Sequence, residues 1–129
     1  MSKEPAKSFQ DLVVWQKAHQ FVLGTYRFTA EFPEQEKAGL AAQLQRSAVA
    51  IGANIAQGFA RKNKSDKARY LSSAQTAVDE CQYYLLLAKD LGYGQNEALV
   101  GQLNEVRKLL GDYTAVIMTI RFLSSGFNS

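Results

Sequence analysis

The sequence predicts an all-α protein, an antiparallel up-down-up-down four-helix bundle, and three observations carry that prediction. Apolar residues recur at three- and four-residue steps in four separate stretches, the signature of a helix with one buried face. The two prolines, Pro5 and Pro33, fall near expected helix starts, so nothing interrupts long helices between them. No stretch alternates apolar and polar residues as a half-buried strand does. Four helices joined by short connections pack as antiparallel neighbours. At 129 residues the chain reads as one domain, 1–129, with enough length for a hydrophobic core of its own.

The first helix is expected over about 9–31. Ser8-Phe9-Gln10-Asp11 reads as a capping box, with Ser8 at the N-cap and an acid three residues on. Its apolar stripe is Leu12, Trp15, His19, Val22, Tyr26 and Thr29, and Pro33 disfavours helix at Phe32. The second helix is expected over 34–60, with Pro33 suited to its first turn and Glu34 and Glu36 near its positive end. Leu40, Leu44, Ile51, Ile55 and Phe59 form its stripe, and its other positions are small, including Ala48, Gly52, Ala53 and Ala56. A glycine inside a helix costs about 1 kcal/mol relative to alanine, so Gly39 and Gly52 mark expected close contacts.

The third helix, 65–91, takes Ser65 as N-cap and carries Leu71, Ala74, Val78, Cys81, Leu85 and Ala88 before Gly92 and Gly94. The fourth, 96–123, is the most regular. Leu99, Leu103, Val106, Leu110, Tyr113, Ile117 and Ile120 alternate steps of four and three, the seam of a left-handed bundle. The tail from Ser124 is expected to fray.

Composition excludes several classes. The chain is 47% hydrophobic and 21% charged, ordinary for a globular domain. The lone Cys81 cannot form an internal disulfide, and there is no Cys/His cluster for zinc. The N-terminal MSKEPAKSFQDL has no apolar signal region, and no stretch approaches the roughly 20 apolar residues that cross a bilayer. The expected setting is cytoplasmic, with no membrane partner. A net charge of +3 argues only weakly for an anionic partner.

Catalytic chemistry lacks its parts. His19 has no second histidine to work with, so it reads as structural or interfacial, and Cys81 on the inner stripe of the third helix reads as an apolar filler. Phosphate-loop, dinucleotide, nucleophile-elbow and zinc-protease motifs are all missing. The expectation is a protein that is not an enzyme and takes no cofactor or metal. Two polar features remain. Arg61, Lys62, Lys64, Lys67 and Arg69 fall within nine residues that hold one acid, Asp66. They lie at the connection between the second and third helices and form a patch suited to phosphates, against which stands a merely solvated loop. Arg46 and Asn54 interrupt the second helix. If position i faces about 125 minus i across the hairpin, Arg46 meets Asp79 and Glu80, which predicts a register-fixing salt bridge. Asn54 then needs a hydrogen-bond partner inside the bundle or at a subunit contact.

Several runs resemble one known family. They are Leu12 to Ala18 around Trp15; Phe32-Pro33 with Glu36, Gly39 and Leu40; Gln43 to Ala48 around Arg46; Asn54-Ile55-Ala56-Gln57-Gly58 with Arg61; and Tyr70-Leu71, Ala74 and Glu80. Over about residues 9–95 the chain resembles the bacterial four-helix-bundle proteins called 23S ribosomal RNA intervening-sequence proteins, whose relatives include the accessory variability protein of diversity-generating retroelements. The fourth helix matches in character only. Gln57 stands where the family usually has glutamate, and Thr76-Ala77 where it has glycine-serine. The resemblance implies a bundle that assembles as a ring, a homopentamer, with no established catalysis. It also implies contact with a reverse transcriptase and with nucleic acid through a basic surface. Arg46 and Arg61 match basic positions of the family, whereas Lys62, Lys64, Lys67 and Arg69 belong to this chain's own loop.

Phe21, Phe28, Tyr83, Tyr84, Phe122 and Phe127 exceed what one four-helix core is expected to bury, which favours a subunit interface. The expected function is therefore a homo-oligomeric scaffold or adaptor whose basic surface engages RNA, DNA or a nucleic-acid enzyme. The alternative is a protein-binding module with no nucleic-acid role.

Overall fold

A computed structural model describes residues 5–128, with side chains through Ile120. Four α-helices, α1 (Val13–Thr29), α2 (Leu40–Ala60), α3 (Lys64–Asp90) and α4 (Glu97–Asn128), make up most of the chain. No strand occurs among the described residues.

The helix ends follow local chemistry, with some departures from expectation. Ser8 and Asp11 do form a capping box: the Ser8 hydroxyl accepts from the Gln10 amide at 3.2 Å, and the Asp11 carboxylate accepts from the Ser8 amide at 3.2 Å. The box closes a separate 3-10 turn, Phe9–Asp11, and α1 restarts after an extended Leu12. The chain after Pro33 likewise forms only a 3-10 turn, Glu34–Glu36, and α2 begins at Leu40 with Gly39 as its N-cap. Gly39 is thus not inside a helix. Its neighbour Glu36 accounts for the break, because its carboxylate accepts from the Leu40 amide at 3.2 Å and from the Tyr93 hydroxyl at 2.7 Å. A side-chain acceptor at a helix start satisfies one of the orphan amides there.

The third helix is capped by Asn63, not Ser65: the Asn63 side-chain carbonyl accepts from the Ser65 amide at 2.8 Å and the Asp66 amide at 3.2 Å. It ends in a Schellman motif at Gly92, whose φ is +78°. The Tyr93 amide donates to the Ala88 carbonyl at 2.9 Å and the Gly92 amide to that of Lys89 at 3.0 Å, the paired bonds that glycine permits there. The fourth helix does not fray after Leu123 but continues to Asn128.

The core draws on all four helices. The α3 stripe is buried as expected, from Leu71 through Val78 and Cys81 to Leu85 and Ala88, and so are Leu44, Ile51 and Ile55 of α2 and Leu99, Leu103, Val106 and Leu110 of α4. The first helix differs. Its core face is Val14, Ala18, Phe21, Thr25 and Thr29, so of the expected stripe only Thr29 is buried; the rest lies one residue round, with Leu12, Trp15 and Val22 half-buried and His19 and Tyr26 exposed. Phe21, expected to be surplus, is fully buried at 0% exposure. Phe28 and Tyr84 are half-buried, Tyr83 is exposed, and the side chains of Phe122 and Phe127 lie outside the described residues.

Each helix packs against two others. The Trp15 indole covers Gly52, where an added Cβ would meet Nε1 at 3.5 Å, so the close contact expected at Gly52 is present. Gln45 donates to the Thr29 hydroxyl at 2.9 Å. Between α3 and α4, Asn96 donates to the Leu85 carbonyl at 2.7 Å and Arg107 pairs with Asp79 at 2.6 Å. Between α1 and α4, Lys17 meets Glu105 at 3.7 Å, and Gly24 lies under Leu99. Between α2 and α3, Ser47 bonds Glu80 at 3.4 Å, and Gly58 packs on Tyr70 and Leu71. Those facing numbers sum to 127–129, not the assumed 125. The expected salt bridge from Arg46 to Asp79 or Glu80 is accordingly absent among the described residues. Arg46 is exposed, Asp79 pairs with Arg107, and Glu80 accepts from Ser47.

Candidate functional site

The short α2–α3 connection brings Arg61, Lys62, Lys64, Lys67 and Arg69 to one end of the helices, but they do not act alike. Lys67 turns back onto α2: its Nζ donates to the Gly58 carbonyl at 3.1 Å and the Phe59 carbonyl at 3.0 Å, and it sits 5.8 Å from the Phe59 ring centre. A lysine on the last carbonyls of a helix satisfies orphan acceptors and meets the negative end of the dipole. Desolvation, followed by the charge of Lys64, lowers its pKa below the usual lysine value. This lysine belongs to the fold more than to a ligand.

Tyr70 organises the rest. The Arg61 guanidinium lies 5.5 Å from its ring centre and that of Arg69 5.8 Å away, both within cation–π range. Arg61 also donates to Gln57 at 3.2 Å, while its buried Nε has no hydrogen-bond partner. Gln57, where the family usually has glutamate, is thus the neutral partner of Arg61. Arg69 pairs with Asp66 at 3.0 Å, largely exposed. Lys62 is exposed and Lys64 half-buried. The sequence singled out the charges and gave Tyr70 no role in arranging them; the spacing of Tyr70 nine residues after Arg61 and directly after Arg69 is the signal that was there to read.

Arg46 does not join this cluster. It lies fifteen residues before Arg61 on α2, about 22 Å along the helix axis at 1.5 Å per residue. Asn54 finds its partner locally, donating to the Ala50 carbonyl at 2.8 Å. Cys81 is buried, and desolvation, with the nearby Glu80 second, pushes its thiol up to about 12. Such a thiol stays protonated and unreactive at neutral pH. No group of His, Cys, Asp and Glu that could hold a metal occurs among the described residues, and none of the described helices is long and apolar enough to cross a membrane.

A second surface feature lies along α1 and α2. Trp15 stacks on His19 with ring centres 4.9 Å apart and planes 9° off parallel, and Phe9 meets Trp15 edge-on at 5.0 Å. With Val22 they wall an open apolar groove whose other side is Val49, Gly52, Ala53 and Ala56.

Residues 10–112 match the family described as 23S rRNA-intervening sequence protein. The chain belongs to that family. For this family member the matched stretch reaches well into α4, further than the resemblance through residue 95, and it stops at Asp112, short of the last part of that helix. Its fold is also that of a crystallised protein of unknown function from the S23 ribosomal protein family of Bacteroides thetaiotaomicron. The two share 24% identity with a TM-score of 0.74, over 80% of this chain and 96% of the other. No curated protein matches the family member at a comparable level.

Proposed function

We propose that this chain is a non-catalytic, homo-oligomeric scaffold whose α2–α3 connection engages nucleic acid, or an enzyme acting on nucleic acid, in the cytoplasm. The carrying observation is the grouping of Arg61 and Arg69 about Tyr70, with Lys62 and Lys64 beside them. The Arg61 guanidinium, held by the ring and by the neutral Gln57, is positioned without being neutralised, which suits phosphate contact, while Arg69 shares its charge with Asp66. The chain reads as one domain running up-down-up-down, supported by facing pairs whose numbers fall on one side as they rise on the other, such as Ser47–Glu80 and Gly58–Leu71. Self-assembly, as a pentameric ring by family resemblance, would multiply a weak basic site into useful avidity.

The test is binding of generic RNA and duplex DNA across a salt series. Each phosphate neutralised adds about 0.9 to the slope of log affinity against log salt on duplex DNA. Lys62→Glu, Lys64→Glu and Arg69→Glu together should abolish binding; unchanged binding would reject the site. The rival reading, a purely protein-binding module, is favoured by Lys67, which the fold itself uses as a helix cap. No salt-dependent binding to either nucleic acid would favour it.

A further inference from the structure

We infer that Lys67 is an acylation site: its amine takes the acyl group from a small acyl phosphate, which releases the end of α2 and removes one charge from the basic connection. Among the described lysines, only Lys67 combines a carbonyl cradle with cationic surroundings. The cradle comes first. Its Nζ donates to the Gly58 carbonyl at 3.1 Å and to the Phe59 carbonyl at 3.0 Å. An ammonium has three protons to give, and among the described residues no acceptor takes the third. That proton can leave without breaking a hydrogen bond of the fold, and the amine keeps both donations with its lone pair free. The side chain is half-buried. Its desolvation, and then the charge of Lys64, penalise the ammonium, so more reactive amine is present here than on a lysine in open water. The Phe59 ring, 5.8 Å away, lies near the outer limit of a cation–π contact and opposes this only weakly.

The surroundings select the donor. Arg61, Lys62 and Lys64 share the connection with Lys67, and Asp66, the acid beside them, is already paired with Arg69 at 3.0 Å. Such a field gathers anions, and an acyl donor whose leaving group is phosphate carries the matching charge. In the step, the Nζ lone pair attacks the acyl carbon and a C–N bond forms. The C–O bond to the phosphate breaks, inorganic phosphate leaves with the bonding pair, and the displaced proton goes to water. The amide product has a single N–H, so either Gly58 or Phe59 loses its donor and the last turn of α2 loses part of its cap. Two other lysines separate the contributions. Lys37 has a similar cradle, at the Ala30 and Thr29 carbonyls, but it is exposed and follows Glu34 and Glu36. Lys62 shares the cationic surroundings but is exposed.

The test treats the full chain with acetyl phosphate at about pH 8 and follows Lys37, Lys62 and Lys67 by site-resolved mass spectrometry. Lys67 should be acetylated several times faster than either of the others, and the three rates should converge when guanidinium chloride unfolds the chain. At about 1 M salt, where charges are screened beyond about 3 Å, Lys67 and Lys62 should slow more than Lys37. Once Lys67 is acetylated, amide hydrogen exchange in the last turn of α2 should quicken. A rate at Lys67 no higher than at Lys62, or a lead that survives unfolding, would overturn the site. A lead untouched by salt would overturn the anionic donor, and unchanged exchange would overturn the release of α2.

Discussion

At the scale of single residues, lysine and glutamate side chains from the connections fasten the helix ends. Lys37 donates to the Ala30 carbonyl at 2.6 Å and the Thr29 carbonyl at 3.3 Å, closing α1 as Lys67 closes α2. Replacing Lys67 by methionine keeps the stem and removes the donors. It should cost about 1 kcal/mol of stability, whereas Lys62→Glu, at an exposed site, should stay within about 0.5 kcal/mol; denaturant unfolding of the two variants checks the contrast. At the other end of the molecule, Glu36 links the α1–α2 connection to Tyr93. That hydrogen bond, then desolvation, raises the Tyr93 hydroxyl above its ordinary value near 10. With the folded value raised, the bond's contribution is full below pH 10 and is lost as pH rises through the folded value. Melting temperatures should therefore show the wild type ahead of Tyr93→Phe by a constant margin at pH 8–9, shrinking above pH 10. A margin that grew with pH would reverse the assignment.

At the scale of the helix, α1 shows how far periodicity can be trusted. Its two apolar faces are adjacent: Val14, Ala18, Phe21 and Thr25 go inward, Trp15, His19 and Val22 border the groove, and Tyr26 is exposed. Phe21→Ala should cost about 3–5 kcal/mol, as a large buried ring does, and Tyr26→Ala should fall within about 0.5 kcal/mol. Equal losses in thermal unfolding would mean that the two faces had been confused. The same doubling explains what was legible in the sequence. Every residue of the expected α3 stripe is buried, with Ala77 beside it the one buried position of that helix not read, and the seam of α4 was readable through Leu110. On α1 the more conspicuous aromatic stripe was read as the core, because spacing shows that a face is apolar and not what covers it. The α2–α3 register failed for a related reason. A turn assumed at residues 62 and 63 displaces every facing pair when the hairpin closes a residue or two later, and that was enough to trade Arg46 for Ser47 opposite Glu80. Tyr70 stayed unread because a ring between two cations has no period at all.

At the scale of the whole molecule, the basic connection lies at the same end of the helices as the start of α1 and the Tyr113–Val116 stretch of α4, since α3 starts where α2 ends. Cys81 reports on the state of the whole. Its thiol sits inside the shared core with a pKa pushed up to about 12, so a thiol reagent at pH 8 needs the core opened before it finds a thiolate. Labelling should be slow in buffer and accelerate with denaturant in step with global unfolding. Under the proposed self-assembly, binding to the folded form alone adds stability by mass action, so the labelling rate should also fall as protein concentration rises from about 1 to about 100 times the assembly constant. Rapid labelling in buffer, at any concentration, would mean that α3 opens locally and that the core does not unfold as one unit.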